Sequence, residues 1–204
     1  MGFLSPTVAM SRYRVEGRFN GPVLEMIREG LSKNAIDEID NDPQEKAVGW
    51  TRFEDPFNPK FNDSSFNIAE MFVFSLRIDK KSIPSRVIKK HLAIETSRRK
   101  LETGRDFLSR NEKQMVKEHV LNVLSLRIPA TPNVYDLVWR YDEGELCFFS
   151  TQKSANEELE TLFARSFKLT LIRLFPYTLA EFYADLSHPE RDGLNQLTPT
   201  RFAE

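Results

Sequence analysis

Between Arg77 and Arg127 the chain carries fourteen lysines and arginines against six acidic residues, a local net charge of +8. The rest of the 204-residue chain holds 15 basic and 24 acidic residues, a net of −9, so the formal charge of −1 conceals a strongly polarised molecule. Such a segment acts through charge, its ammonium and guanidinium groups engaging phosphate or carboxylate oxygens. The candidate contacts are Lys80, Lys81, Arg86, Lys89, Lys90, Arg98, Arg99, Lys100, Arg110, Lys113 and Lys117. Phosphates recur every ~1.7 Å along a duplex axis, so a row of these side chains can hold several without reading a base. No aromatic row accompanies the lysines, so a single-strand stacking platform is not indicated on this segment.

Other reactive side chains are sparse. His91, His119 and His188 have no companion at metal-ligand spacing, and the first two are expected to pack between helices. Cys147 is the only cysteine; its LCFF setting predicts a buried thiol and excludes an intramolecular disulfide. There is no glycine-rich phosphate loop and no serine in a nucleophile-elbow context. A metal-dependent nuclease would need converging carboxylates, for which Asp40, Asp42, Asp55 and Asp63 are the candidates. Asp beside Pro or Asn is more commonly a turn former. No catalytic residue, metal, cofactor or small-molecule ligand is therefore expected.

The basic segment is predicted to be a helical hairpin spanning residues 80–127. Pro84 suits the first turn of a helix and Gly104 the position just past its end. On a 100° wheel Val87, Ile94 and Leu101 fall on one line, with Ile88, His91 and Leu92 beside them. Arg86, Lys89, Lys90 and Lys100 occupy the opposite arc. Arg98 and Arg99 sit nearer the apolar side, where their stems can cover the partner helix. Ser109 and Glu112 form a capping box that starts the return helix, which packs through Val116, Val120, Val123 and Leu124.

The hairpin interrupts an α+β scaffold predicted over residues 1–79 and 128–186. Strand signals occupy 7–16, with a break between Met10 and Tyr13, and then 48–53, 68–78, 134–141, 145–151 and 168–175. Helices follow Gly21-Pro22, with an apolar stripe of Val23, Met26, Ile27 and Leu31, and the box Ser154–Glu157; a shorter one covers 177–186. The order is β-α-β-β, α-α, β-β-α-β, two sets of three strands and a helix flanking the hairpin, and it implies a largely antiparallel sheet. Residues 187–204 read as a weakly ordered tail. Sixteen phenylalanines can fill a core without metals or disulfides. No apolar run is long enough to span a bilayer and no signal peptide is evident, so a reducing cytoplasm is the expected compartment.

Ile83-Pro84-Ser85-Arg86-Val87-Ile88-Lys89, opening a long basic helix pair after a strand, resembles the RdgC recombination-associated proteins of bacteria. Gly49-Trp50 before it and Leu179-Ala180-Glu181-Phe182 after the last strand fit the same pattern, so the resemblance runs from the first strand to Leu186. It implies a non-enzymatic, nucleoid-associated protein that binds duplex DNA without sequence preference, encircles it as a ring-shaped homodimer and restrains RecA-mediated recombination. Some members carry an exonuclease label. The chain is shorter than typical members and stops near where their C-terminal region begins. Arg86 and Lys89 are the DNA contacts that the motif itself carries over. Three readings leave the sequence: a DNA-binding protein, a protein-interaction module whose hairpin docks an acidic partner, and a metal-dependent exonuclease.

Overall fold

Alternation in the long strands builds the sheet, and the computed structural model describes it over residues 2–61 and 64–198. The elements are β1 (Ser11–Glu16), α1 (Val23–Lys33), β2 (Lys46–Thr51), β3 (Asn67–Ile68), β4 (Met71–Lys80), α2 (Ser85–Thr103) and α3 (Arg110–Ser125). They continue with β5 (Thr131–Arg140), β6 (Glu145–Phe148), α4 (Lys153–Phe167), β7 (Thr170–Leu174), α5 (Pro176–Tyr183) and α6 (His188–Asn195). The strands pair antiparallel in the order β2-β4-β5-β6-β1-β7, with β3 also on β4. This is an α+β fold with a curled antiparallel sheet, as the alternation predicts.

β4 and β5 are the spine. Phe72, Phe74, Leu76 and Ile78 share the main core with Leu137 and Trp139, under Ile27 and Leu31 of α1 and Leu159, Leu162, Phe163 and Phe167 of α4. On the other face Val73, Val138 and Phe149 form a smaller cluster beside half-buried Cys147, whose thiol pKa is pushed up by burial. Burying one such side chain contributes about 1.5–3 kcal/mol, so β4, apolar toward both faces, is the costliest strand to disturb.

The Gly49-Trp50 pair has a steric explanation. Trp50 is fully buried against Phe74 at 5.2 Å and its indole N–H donates to Ser166 Oγ at 2.8 Å. Along the β2 edge the chain at 34–36 comes close enough for Trp50 N–H to reach Asn34 O and Ile36 N–H to reach Trp50 O. A Cβ at residue 49 would stand 2.4 Å from Ile36 Cα. Gly49→Ala is therefore expected to cost about 1–3 kcal/mol or more, as overpacking does, read as a lower urea midpoint at unchanged m-value.

Five local expectations are corrected. β1 starts at Ser11, leaving Val8 and Met10 exposed, and Met26 is exposed on α1. Residues 68–78 are not one strand: Ala69 at φ 55° turns the chain between β3 and β4. The Ser154 capping box does not form; α4 begins two residues earlier, with Gln152 in place of Ser154 at the N-cap. Asn156 instead donates to Gln152 O at 2.7 Å and accepts from the Tyr13 hydroxyl at 2.6 Å. The first part of the expected tail is α6, entered by Ser187 N–H donating to Glu190 at 2.8 Å. Among the described residues no helix is long and apolar enough to cross a membrane.

Candidate nucleic-acid interface

The hairpin's ends are set by local chemistry. α2 follows Pro84 and closes at Gly104, whose φ of 63° turns its N–H back to Lys100 O. Its 19 residues make about 28 Å of helix. α3 starts at the Ser109–Glu112 box, in which Ser109 N–H donates to the Glu112 carboxylate at 2.8 Å and Glu112 N–H to Ser109 Oγ at 3.3 Å. Those bonds hold the Glu112 carboxyl below its ordinary pKa, with Arg105 and Arg99 adding a smaller pull. The contribution is present above the ordinary glutamate pKa and fades as pH falls through the depressed value.

The seam differs from the expected one. Leu108, Val116, Val120 and Leu124 form a core that meets Ile83, Val87, Ile88 and Leu92. Ile94 and Leu101 point away from it, 55% and 85% exposed, and Val123 is only partly covered. The packed face of α2 thus centres on Val87, Ile88 and Leu92, about a quarter turn from the Val87–Ile94–Leu101 line. His91 and His119 line one cleft between the helices with Ile94, Glu95, Arg98, Val123 and Arg127, His91 partly buried and His119 exposed, so His119 does not pack in the seam as expected.

That cleft marks one broad face of the hairpin, and the helical angles place Lys89, Lys100, Arg110, Lys113 and Lys117 on the other. All are exposed except Lys100, which is half-buried. Among the described residues no carboxylate comes within ion-pair distance of these five, nor of Arg86 and Lys90 on the outer edge of α2. Arg98 is different: it is held by Glu102 at 2.9 Å and Glu95 at 3.8 Å on the histidine-cleft side. Arg99 lies toward Glu112, and Lys80 is exposed at the end of β4.

Lys81 departs from the exposed row altogether. It is buried, and its ammonium donates to the backbone oxygens of Asp40 at 3.1 Å, Asp42 at 2.6 Å and Ser125 at 2.7 Å. A lysine so enclosed fastens the 40–42 loop to the last turn of α3 and fixes the hairpin's root. The signal for it was absent from local sequence, because the three acceptors come from two distant stretches.

A hairpin of basic helices inserted between β4 and β5 matches the pattern of a known family. The sequence profile described as "Putative exonuclease, RdgC" matches residues 9–174. The chain belongs to the RdgC family. No curated protein matches it. The RdgC match covers β1 through β7 and therefore both scaffold and hairpin, while α5 and α6 lie beyond it. Membership supports a recombination-associated role.

The exonuclease wording of the RdgC description directs attention to the carboxylates. Asp40 Oδ1 accepts from Ala130 N–H at 2.8 Å, Asp42 Oδ1 from Gln44 N–H at 2.8 Å, and Asp55 Oδ1 from Phe57 N–H at 3.4 Å. Asp42 and Asp55 thus serve local turns, whereas Asp40 ties its loop to the chain leaving the hairpin at Ala130; Asp63 lies outside the described residues. Among the described residues no group of three or more His, Cys, Asp or Glu side chains is placed to hold a metal ion.

Proposed function

We propose that this RdgC-family protein binds duplex DNA without sequence preference through the basic face of its helical hairpin, and thereby restrains RecA-type strand exchange. The observation that carries the reading is the set Lys89, Lys100, Arg110, Lys113 and Lys117 on one face, with Arg86 and Lys90 at its edge, unpaired by carboxylates among the described residues. A helix face that is merely solvated mixes signs and pairs them at i,i+4, as Arg98 does with Glu102. Cations left free on a 28 Å rod suit a polyanion, and the helices set their backbone spacing so that no backbone ordering is needed on binding.

The role is non-enzymatic in this reading, the aspartates serving backbone contacts in their loops. A homodimer around the duplex and residence on the nucleoid belong to the same proposal. Exposed Ile94 and Leu101, on the flank away from the basic face, offer such a dimer an apolar contact. The alternative of an acidic protein partner rests on the same charges and is separated by the following test.

With five to seven phosphates neutralised, log affinity for a fluorescent duplex falls with log salt at a slope of about −4.5 to −6, at equal strength for unrelated sequences. A slope near zero, or a marked sequence preference, would overturn the mechanism.

A further inference from the structure

The end of the sheet remote from the hairpin holds a second cationic feature, of different chemistry. The hairpin leaves between Lys80 and Thr131, whereas β5 runs ten residues, about 33 Å, to the turn at 141–144. There an open cleft of about 700 Å³ is lined by Arg14, Val15, Glu16, Gly17, Arg18, Glu143, Gly144 and Tyr183. Its volume falls in the range of about 300–1,000 Å³ usual for ligand sites.

Three properties distinguish the cleft from an ordinary surface dip. Its floor is nearly free of side chains: Gly17 at φ 99° and Gly144 at φ 67° bring bare backbone to the surface, with Val15 N–H bonded to Gly144 O at 2.7 Å. Its wall is aromatic: Tyr183 is 53% exposed, and its hydroxyl reaches Glu145 at 3.4 Å. Its cations are arginines. The Arg14 guanidinium carbon lies over the Phe182 ring at 4.7 Å from its centre, and Arg18 is exposed on the rim.

Among the described residues neither arginine has a carboxylate partner, and Glu143 is taken by Arg140 at 2.8 Å. Glu16 alone opposes the two free guanidinium groups. An exposed ring beside forked cations is the combination that holds an unpaired base and its phosphates. It is the combination the lysine-rich hairpin lacks.

We propose that this cleft binds a short stretch of single-stranded DNA, with a base against Tyr183 and the flanking phosphates on Arg14 and Arg18. The strand site is then separated from the duplex-binding hairpin by the length of the sheet. A base stacked on one aromatic ring contributes about 1–3 kcal/mol, which is roughly a five- to hundredfold change in affinity.

The test uses fluorescein-labelled dT15 and a labelled 30-base-pair duplex, titrated against the full chain and its variants. Tyr183→Ala and Arg18→Glu each weaken dT15 binding at least fivefold and leave duplex affinity within twofold, while Lys89→Glu with Lys113→Glu weakens the duplex. Tyr183→Trp keeps dT15 affinity, and its added emission is quenched by dT15 but not by the duplex; this readout stands even if Tyr183→Ala loosens α5. Unchanged dT15 affinity in both cleft variants overturns the proposal, as does an equal loss for both DNA forms. Displacement of dT15 by free dTMP at comparable concentration also overturns it, in favour of a mononucleotide site. Failure of the hairpin variant to lower duplex affinity would count against the proposed function alone.

Discussion

Reversing three charges on the basic face, Lys89→Glu, Lys100→Glu and Lys113→Glu together, is expected to lower duplex affinity by about a hundredfold or more at 0.15 M salt and to flatten the salt slope by about three. Three phosphate contacts become three repulsions, and the released counterions that drive binding fall in proportion. The fold survives: Lys89 and Lys113 are exposed and Lys100 half-exposed, and surface substitutions of this kind usually stay within about 0.5 kcal/mol each. Arg98→Glu is the matched control. Arg98 is already neutralised by Glu95 and Glu102 and faces the histidine cleft, so its reversal should leave duplex affinity within about twofold, whereas Lys113→Glu alone, the same change in net charge, should lower it. Fluorescence anisotropy at several salt concentrations separates the two cases. Equal losses from Lys113→Glu alone and from Arg98→Glu would mean that net charge, rather than this face, governs binding.

How far the hairpin could be read in advance depends on which forces are local. Pro84, Gly104 and the Ser109–Glu112 box act within a few residues of themselves, so α2 begins and ends, and α3 begins, where those residues predict. The face could not be read so well. Val87, Ile94 and Leu101 make an acceptable stripe on an isolated wheel, but Leu108, Val116, Val120 and Leu124 keep Val87 with Ile88 and Leu92 and leave Ile94 and Leu101 out, and only the partner helix carries that choice. Lys81 fails for a related reason: next to Lys80 it looks solvated, and its burial depends on carbonyls donated by residues 40, 42 and 125. At Ser154 a sound local signal loses to a tertiary one, since shifting the helix start lets Asn156 meet Tyr13. Strand alternation survived because β5 places Leu137 and Trp139 in one core and Val138 in the other, and a slip by one residue would exchange them.

Arg77 was counted among the hairpin's charges, yet the structure gives it to the scaffold, and its replacement is expected to be the most damaging single change outside the apolar core. It is 4% exposed on β4, with Nε donating to Asp79 Oδ1 at 2.8 Å and an Nη to Asp79 Oδ2 at 2.5 Å. It also reaches Glu38 at 3.1 Å, donates to Pro56 O at 3.4 Å and lies 5.2 Å from the centre of the Phe57 ring. Magnitudes rank these contacts. Glu38 is 67% exposed, so that pair contributes no more than about 1 kcal/mol. The ring contact adds about 0.5–1 kcal/mol. Asp79 is 1% exposed, and deleting Arg77 strands a buried carboxylate, which costs about 3–5 kcal/mol. Arg77→Met should therefore lower unfolding free energy by that larger amount, whereas Glu38→Ala and Phe57→Ala each lose about 1 kcal/mol or less. Replacing both partners, Arg77→Met with Asp79→Leu, should recover most of the loss, because no unpaired charge is then left inside. If the double variant is as unstable as Arg77→Met alone, the penalty comes from the lost grip on the Asp55–Pro59 loop, and faster amide exchange confined to that loop would show it.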